Sequence, residues 1–302
     1  MFPSDREHSG QNSDAGTPPN APPARTYRLS IAYDGTDFFG WQVQPGLPTI
    51  QGSLATAVRE VTGETVLPQG SGRTDTGVHA SAQAVSLNLQ ANIPADRLLR
   101  ALNRRLPASI RIVSLVDAPP HFHARAGVLD KTYEYRIFQR RLATQPNEQI
   151  CLPDIARYVW DCRWPLSLDP MQRAAEAFVG THDFTSFAAT DPDRTQRLQD
   201  EGDPVDNVRT SFQSGWQLRD GLLVYRVTGS GFLHHMVRNI VGTCVEIGAG
   251  RMPADAIPAI LAAHDRRQAG ATAPPQGLHL VEVNYLADQT ASHDKTAAKA
   301  SA

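Results

Sequence analysis

The chain has 302 residues, of which 41% are hydrophobic and 20% charged, the composition of a globular protein with ample apolar material for a core. It contains no apolar run of the ~18 residues a membrane span needs and opens without a basic-then-apolar leader, so a membrane protein is disfavoured and a cytoplasmic one expected. A net charge of −2 gives no polyanion-binding signal by itself, and Cys151, Cys162 and Cys244 sit in no metal-type cluster and are expected as reduced thiols.

Residues 1–25 are rich in Pro, Ser, Asn and Gly without periodicity and read as a disordered tail. Tyr27, Leu29, Ile31 and Tyr33 then alternate, predicting a strand that ends at Asp34-Gly35. Behind Thr49, a suitable N-cap, Ile50, Leu54, Val58 and Val61 recur at helical spacing. Gln83, Val85, Leu87 and Leu89 predict a second strand. From Asp96 to Leu106 the pattern is an amphipathic helix, with Leu98, Leu99, Leu102 and Leu106 on one face and Arg97, Arg100 and Arg104 on the other. Strands follow at Arg111–Leu115 and Thr132–Phe138, and a Pro- and charge-interrupted stretch runs from Gln139 to Pro165.

A helix is expected from Asp169-Pro170 to a stop at Gly180, then a strand near Asn207–Gln213 and a hairpin around Asp220-Gly221, with Leu223, Tyr225 and Val227 alternating after the turn. Met236, Val237, Ile240, Val241, Cys244 and Val245 make a strongly apolar helix; a shorter one begins near Asp255, and Leu278–Tyr285 closes the fold as a strand before a tail over 287–302. Hairpins of this kind exclude a purely parallel doubly wound sheet. The expectation is therefore an α+β fold of two similar α/β halves, 26–145 and 146–286, with mixed, largely antiparallel sheets around a central cleft. The acidic stretch from Asp191 to Asp206 would repel phosphates if it lay against a nucleic acid.

Three segments concentrate chemistry. Gly70 to Ala80 places three glycines around Arg73 and Asp75, with His79 just before a strand; glycines of this kind let a loop press on a ligand. It lacks the Gly-Lys-Ser/Thr of a phosphate loop, and Asp75 stands where a dinucleotide fingerprint needs its third glycine. A tight surface turn with a local Arg–Asp ion pair is the plainer alternative. His121 and His123 lack a third ligand at metal spacing, so a basic, aromatic turn is the better reading of Phe122, His123, Ala124 and Arg125. Beyond that turn, Tyr133 and Tyr135 share one side of a strand, the usual pattern of core packing. In the third segment, Arg238 falls beside the buried stripe of the apolar helix, where an arginine demands a carboxylate partner, either structural or catalytic. The adjacent His234 and His235 read as helix-start histidines.

In order along the chain, Tyr33-Asp-Gly-Thr36, Phe39-Gly-Trp-Gln42, Gly72-Arg-Thr-Asp-Thr-Gly-Val-His79, Phe122-His-Ala-Arg125, Lys131-Thr-Tyr133, Asp183-Phe-Thr-Ser-Phe187, Phe232-Leu-His-His-Met-Val-Arg-Asn-Ile-Val-Gly242 and Gly277-Leu-His-Leu280 resemble the motifs of the TruA family of tRNA pseudouridine synthases. The resemblance runs from about Thr26 to Tyr285. It implies a homodimer with a deep basic cleft, neither metal nor cofactor, and uridines at positions 38, 39 and 40 of the tRNA anticodon stem-loop as substrates. By the same resemblance Asp75 is the nucleophile, Arg73 helps displace the target base, Tyr133 contacts the flipped uracil, Arg238 pairs with Asp75, and Leu278 lines the uracil pocket. Phe122 through Arg125 would contact tRNA, and the basic helix face carrying Arg97 and Arg100 is a further candidate RNA contact. Two other classes compete. A tRNA-binding chaperone would need the arginines but not Asp75, and a sugar hydrolase would need a second carboxylate that the loop does not supply.

Overall fold

A computed structural model describes residues 24–141, 147–190 and 206–286. Residues 1–23 of the tail expected over 1–25, the tail expected over 287–302, and the acidic stretch apart from Asp206 lie outside the described residues. Ten strands form one sheet: β1 (Arg25–Tyr33), β2 (Gln69–Gly70), β3 (His79–Leu89), β4 (Ile110–Asp117), β5 (Val128–Gln139), β6 (Trp160–Cys162), β7 (Gly180–Asp183), β8 (Val208–Arg219), β9 (Leu222–Gly229) and β10 (Leu278–Tyr285). The main path is β4-β1-β3-β10-β5-β9-β8-β7, with β2 on β3 and β6 on β5. Pairing is antiparallel except at β3–β10 and β5–β6, so the mixed, largely antiparallel α+β sheet matches the expectation.

The sheet is continuous across the expected division into halves, and β5, from the earlier part of the chain, pairs with β9 and β10. Helices cover both ends. Helices α1 (Ile50–Thr62) and α2 (Ala95–Arg105) pack on each other, and α2 on β4; α4 (Leu168–Glu176) and α5 (Met236–Gly248) pack on each other, α4 on β8 and α5 on β5. The one-turn α3 (Pro153–Ala156) and the short α6 (Ile257–Ala263) complete the described helices. One hydrophobic cluster links the two ends, from Leu54 and Leu102 through Ile31 and Tyr135 to Met171 and Ile240. No described helix is long and apolar enough to cross a membrane.

Local chemistry explains most boundaries. Thr49 Oγ1 accepts from the Gly52 amide at 3.3 Å, and Gly63, at φ 79°, ends α1 with its amide on the Arg59 carbonyl. Asp96 in the first turn and Arg104 and Arg105 in the last complement the dipole of α2. Asp220 and Gly221 both adopt positive φ, the two-residue turn whose twist suits a tight hairpin. Two expectations are corrected. Arg25 is not tail but the first residue of β1, its guanidinium bound to both oxygens of Asp117. Helix α4 stops at Glu176, four residues before Gly180, because the chain must turn to bury Phe178 against Phe184 and Phe187; Gly180 opens β7 instead.

Candidate active site

The loop between β2 and β3 carries Arg73 and Asp75, and the segment after β1 braces it. Trp41 donates its amide to the Thr74 carbonyl at 3.0 Å, Gly77 donates to Phe38 at 3.3 Å, and the Tyr33 hydroxyl meets Thr74 Oγ1 at 2.8 Å. Contact is too close for side chains. A Cβ on Gly35 would lie 2.0 Å from the Val78 carbonyl oxygen, and one on Gly40, which sits at φ 84°, would lie 2.7 Å from that of Thr74. The Asp-Gly-Thr and Phe-Gly-Trp-Gln signatures are thus the support of the Asp75 loop. His79 adds to it: its Nδ1 accepts from the Gly35 amide at 3.1 Å, and its Nε2 lies 3.0 Å from the Arg157 carbonyl oxygen. The ring stacks on His279 at 4.8 Å. Burial pushes both imidazoles down, His279 to about 3, so they act as uncharged struts.

Asp75 meets the N-terminal end of α5, 163 residues away in sequence. Arg238 donates from Nη1 to Asp75 Oδ2 at 2.9 Å and from Nε to the Ala273 carbonyl at 2.8 Å, which fixes the plane of the guanidinium. Two imidazoles face the same carboxylate, His235 Nε2 at 3.4 Å from Oδ2 and His234 Nε2 at 3.8 Å from Oδ1. Burial, helped by the charges of His234, Arg238 and Arg266, pushes His235 down against the pull of Asp75. The donor atoms of Asp75, His234 and His235 lie within 4.8 Å of one another, but Arg238, already bonded to the carboxylate, would repel a dication there. The group is better suited to acid–base chemistry.

Around Asp75 lies a cleft of about 610 Å³, in the range of small-ligand pockets. Tyr133 on β5, Phe232 and Leu278 at the start of β10 are among its walls, the first two rings meeting edge to face at 5.1 Å. Burial raises the Tyr133 phenol well above its ordinary value, so it stays protonated. Arg73, Arg125, Lys131 and Arg238 all line this space, which makes the cleft cationic although the chain is net acidic. Lys131 Nζ donates to the Ser71 carbonyl at 2.7 Å, tying β5 to the loop. Sequence patterns gave no role to Lys131 or Phe232; their spacing to Asp75 along the chain carries no signal.

The remaining predicted residues divide. In the Phe122–Arg125 turn, Phe122 packs edge to face on Tyr285 at 5.4 Å and Ala124 is fully buried, its carbonyl accepting from the Tyr285 hydroxyl. These two anchor the turn, and His123 and Arg125 are its exposed members. Arg97 and Arg100 are exposed on α2, Arg100 bound to Asp96, and neither lines the cleft. All three cysteines are free thiols.

Comparison with known proteins agrees with this geometry. A family profile described as tRNA pseudouridine synthase matches residues 29–125 and 174–286. The tRNA pseudouridine synthase A of Moorella thermoacetica is 43% identical over 263 residues, 85% of this chain and 98% of that protein. That of Solibacter usitatus is 44% identical over 262 residues, 86% of this chain and the whole of the relative. The Halalkalibacterium halodurans protein of the same name is 41% identical over 253 residues, 83% of this chain and 89% of its own. With a profile covering most of the chain and relatives aligned over nearly their full length, the chain belongs to the TruA family of tRNA pseudouridine synthases, a family of isomerases.

Proposed function

We propose that this enzyme isomerises uridine to pseudouridine at positions 38, 39 and 40 of the tRNA anticodon stem-loop, with Asp75 as nucleophile. The observation that carries the reading is the Asp75 carboxylate, oriented by Arg238 at 2.9 Å and set in a cationic cleft beside Tyr133 and Leu278. A stacked uridine hides its glycosidic bond, so the base must leave the helix before a carboxylate can reach it. Arg73, two residues from Asp75 and also lining the cleft, is placed to occupy the space the base vacates. Once the C1′–N1 bond breaks, the uracil has to turn until C5 faces C1′ while remaining enclosed. Walls such as Tyr133, Phe232 and Leu278 suit that step, because apolar contact holds a flat ring without directional bonds that rotation would break.

The cationic lining supplies the attraction for the phosphate backbone, with His123 and Arg125 at the exposed turn as further contacts. We place the enzyme in the cytoplasm as a homodimer, with residues 26–145 supplying the nucleophile and 146–286 supplying Arg238. The test is to map pseudouridine in tRNA from cells that lack the protein. Loss at positions 38, 39 and 40, restored by the wild-type chain, is the expected result. Unchanged pseudouridine at those positions would refute the assignment and favour a protein that binds tRNA without altering it.

A further inference from the structure

The proposed isomerisation contains a proton transfer besides the exchange of bonds at C1′. The electron pair of C1′–N1 goes to N1, ring electrons form C1′–C5, and C5 then carries both the sugar and its original hydrogen. Aromaticity returns only when that hydrogen leaves as a proton, its bonding pair going back to the ring; N1 ends by gaining a proton. Net chemistry is one proton moved from C5 to N1, with no oxidant or water consumed.

Few groups lining the cleft can accept this proton. Arg73, Arg125 and Arg238 are guanidiniums, which carry no lone pair to take a proton, Lys131 is engaged as a donor to the Ser71 carbonyl, and the buried Tyr133 phenol holds its own proton. His234 is different. Its Nδ1 lies 2.9 Å from the Thr190 carbonyl oxygen, and since a carbonyl can only accept, Nδ1 carries the hydrogen. In the imidazole form the lone pair then lies at Nε2, 3.8 Å from Asp75 Oδ1, on a residue that lines the cleft. A carbonyl fixing the tautomer on one side and a reactive lone pair on the other is the arrangement of a general base.

Backbone geometry supports the same reading. His235 sits at φ 58°, in the left-handed region that a residue with a Cβ avoids, and its ring lies 3.9 Å from that of His234. Strain of this kind in a non-glycine residue concentrates at functional sites. The strained turn sets both imidazoles against the carboxylate before α5 begins.

Resting on the isomerase reading above, we propose that His234 is the general base that takes the C5 proton of the rearranged uracil at Nε2 and returns it to N1. Asp75 Oδ1, beside Nε2, stabilises the transient imidazolium.

The experiment uses the full chain and tRNA transcripts carrying uridine, 5-deuterouridine or 5-fluorouridine at positions 38–40. His234→Asn keeps a donor for the Thr190 carbonyl but removes the Nε2 lone pair. Conversion of uridine should fall roughly 10²–10³-fold, and a primary isotope effect on 5-deuterouridine should appear or grow. With 5-fluorouridine, C–C bond formation leaves no proton to lose, since fluorine cannot depart as a cation, so its rearrangement by the variant should match wild type. A second variant, His234→Ala, should regain uridine turnover when imidazole is added. Wild-type rates on uridine in both variants would overturn the proposal. So would equal losses on uridine and 5-fluorouridine without imidazole rescue, which mark a purely structural role. If the wild-type enzyme leaves both substrates untouched, the isomerase reading itself fails, a result distinguishable from either of these.

Discussion

Glu134 and Asp75 are both carboxylates bonded to arginine, yet their surroundings make them opposite kinds of group. Glu134, on β5, has a side chain only 5% exposed and is gripped by Arg219 at 2.7 Å, Arg226 at 3.0 Å and Arg136 at 3.3 Å. Burial works against its charge, but hydrogen bonds and charge from Arg219, then Arg226 and Arg136, outweigh it and hold the carboxyl at about 2. Asp75 is 21% exposed, takes one hydrogen bond from Arg238, and has imidazoles rather than further guanidiniums across from it. Surrounding a carboxylate with cations removes its capacity to react; orienting it with one and leaving it at a cleft keeps that capacity. A count of arginine partners would rank Glu134 first, three against one, whereas the proposed chemistry is assigned to Asp75.

Substitutions can break this contrast at either end. The largest effect is expected from Asp75→Asn, a loss of pseudouridine formation of roughly 10⁴-fold or more, read by chromatography of digested tRNA nucleosides. Affinity for tRNA should hold, because the change removes no cation from the cleft. Next comes Arg238→Met, expected to cost about 10²–10³-fold through loss of a preorganised donor. Arg238→Lys should recover little, since an ammonium cannot span the Ala273 carbonyl and Asp75 as the guanidinium does. Recovery by lysine would show that charge alone matters there.

Glu134→Gln should leave turnover unchanged and lower stability by about 2 kcal/mol, less than a fully buried pair is worth because its arginines are 28–41% exposed. The sign of its pH dependence follows from the lowered pKa. Stability from Glu134 is fully present above the ordinary value of 4.5 and is lost as pH falls through about 2. Acid unfolding followed by circular dichroism should therefore be shallower in the variant. A Glu134→Gln enzyme that folds normally but fails to modify tRNA would erase the distinction between the two carboxylates.

Much of this architecture was legible in the chain. Period-2 alternation located β1, β5, β9 and β10, and the 3.6-residue stripe with Thr49 or leucines at fixed spacing located α1 and α2. What escaped were elements whose cause is tertiary. Three-residue β6 has no periodicity to read and exists because Trp160–Cys162 pairs with the far end of β5. The early stop of α4 answers to Phe178, a packing demand that Gly180 only appeared to explain. At the site, the stripe of α5 required a carboxylate for Arg238, but nothing local named Asp75 as the partner; the motif resemblance did that. From the sequence alone His234 is a helix-start histidine. Its tautomer depends on the Thr190 carbonyl, 44 residues earlier, which no spacing rule reaches. Arginine clustering did not point to the cleft walls, since Arg97 and Arg100 are exposed on α2 and do not line the cleft.

The position of β10 bears on how the enzyme is made. Residues 278–285, the C-terminal strand of the described fold, lie at the middle of the sheet, joining β3 to β5. A nascent chain still waiting for that strand has two unjoined strand groups, no Leu278 wall, and no fixed distance between the Asp75 loop and α5. Release of this strand from the ribosome is therefore expected to be the event that joins the two strand groups and sets the Asp75 loop against α5.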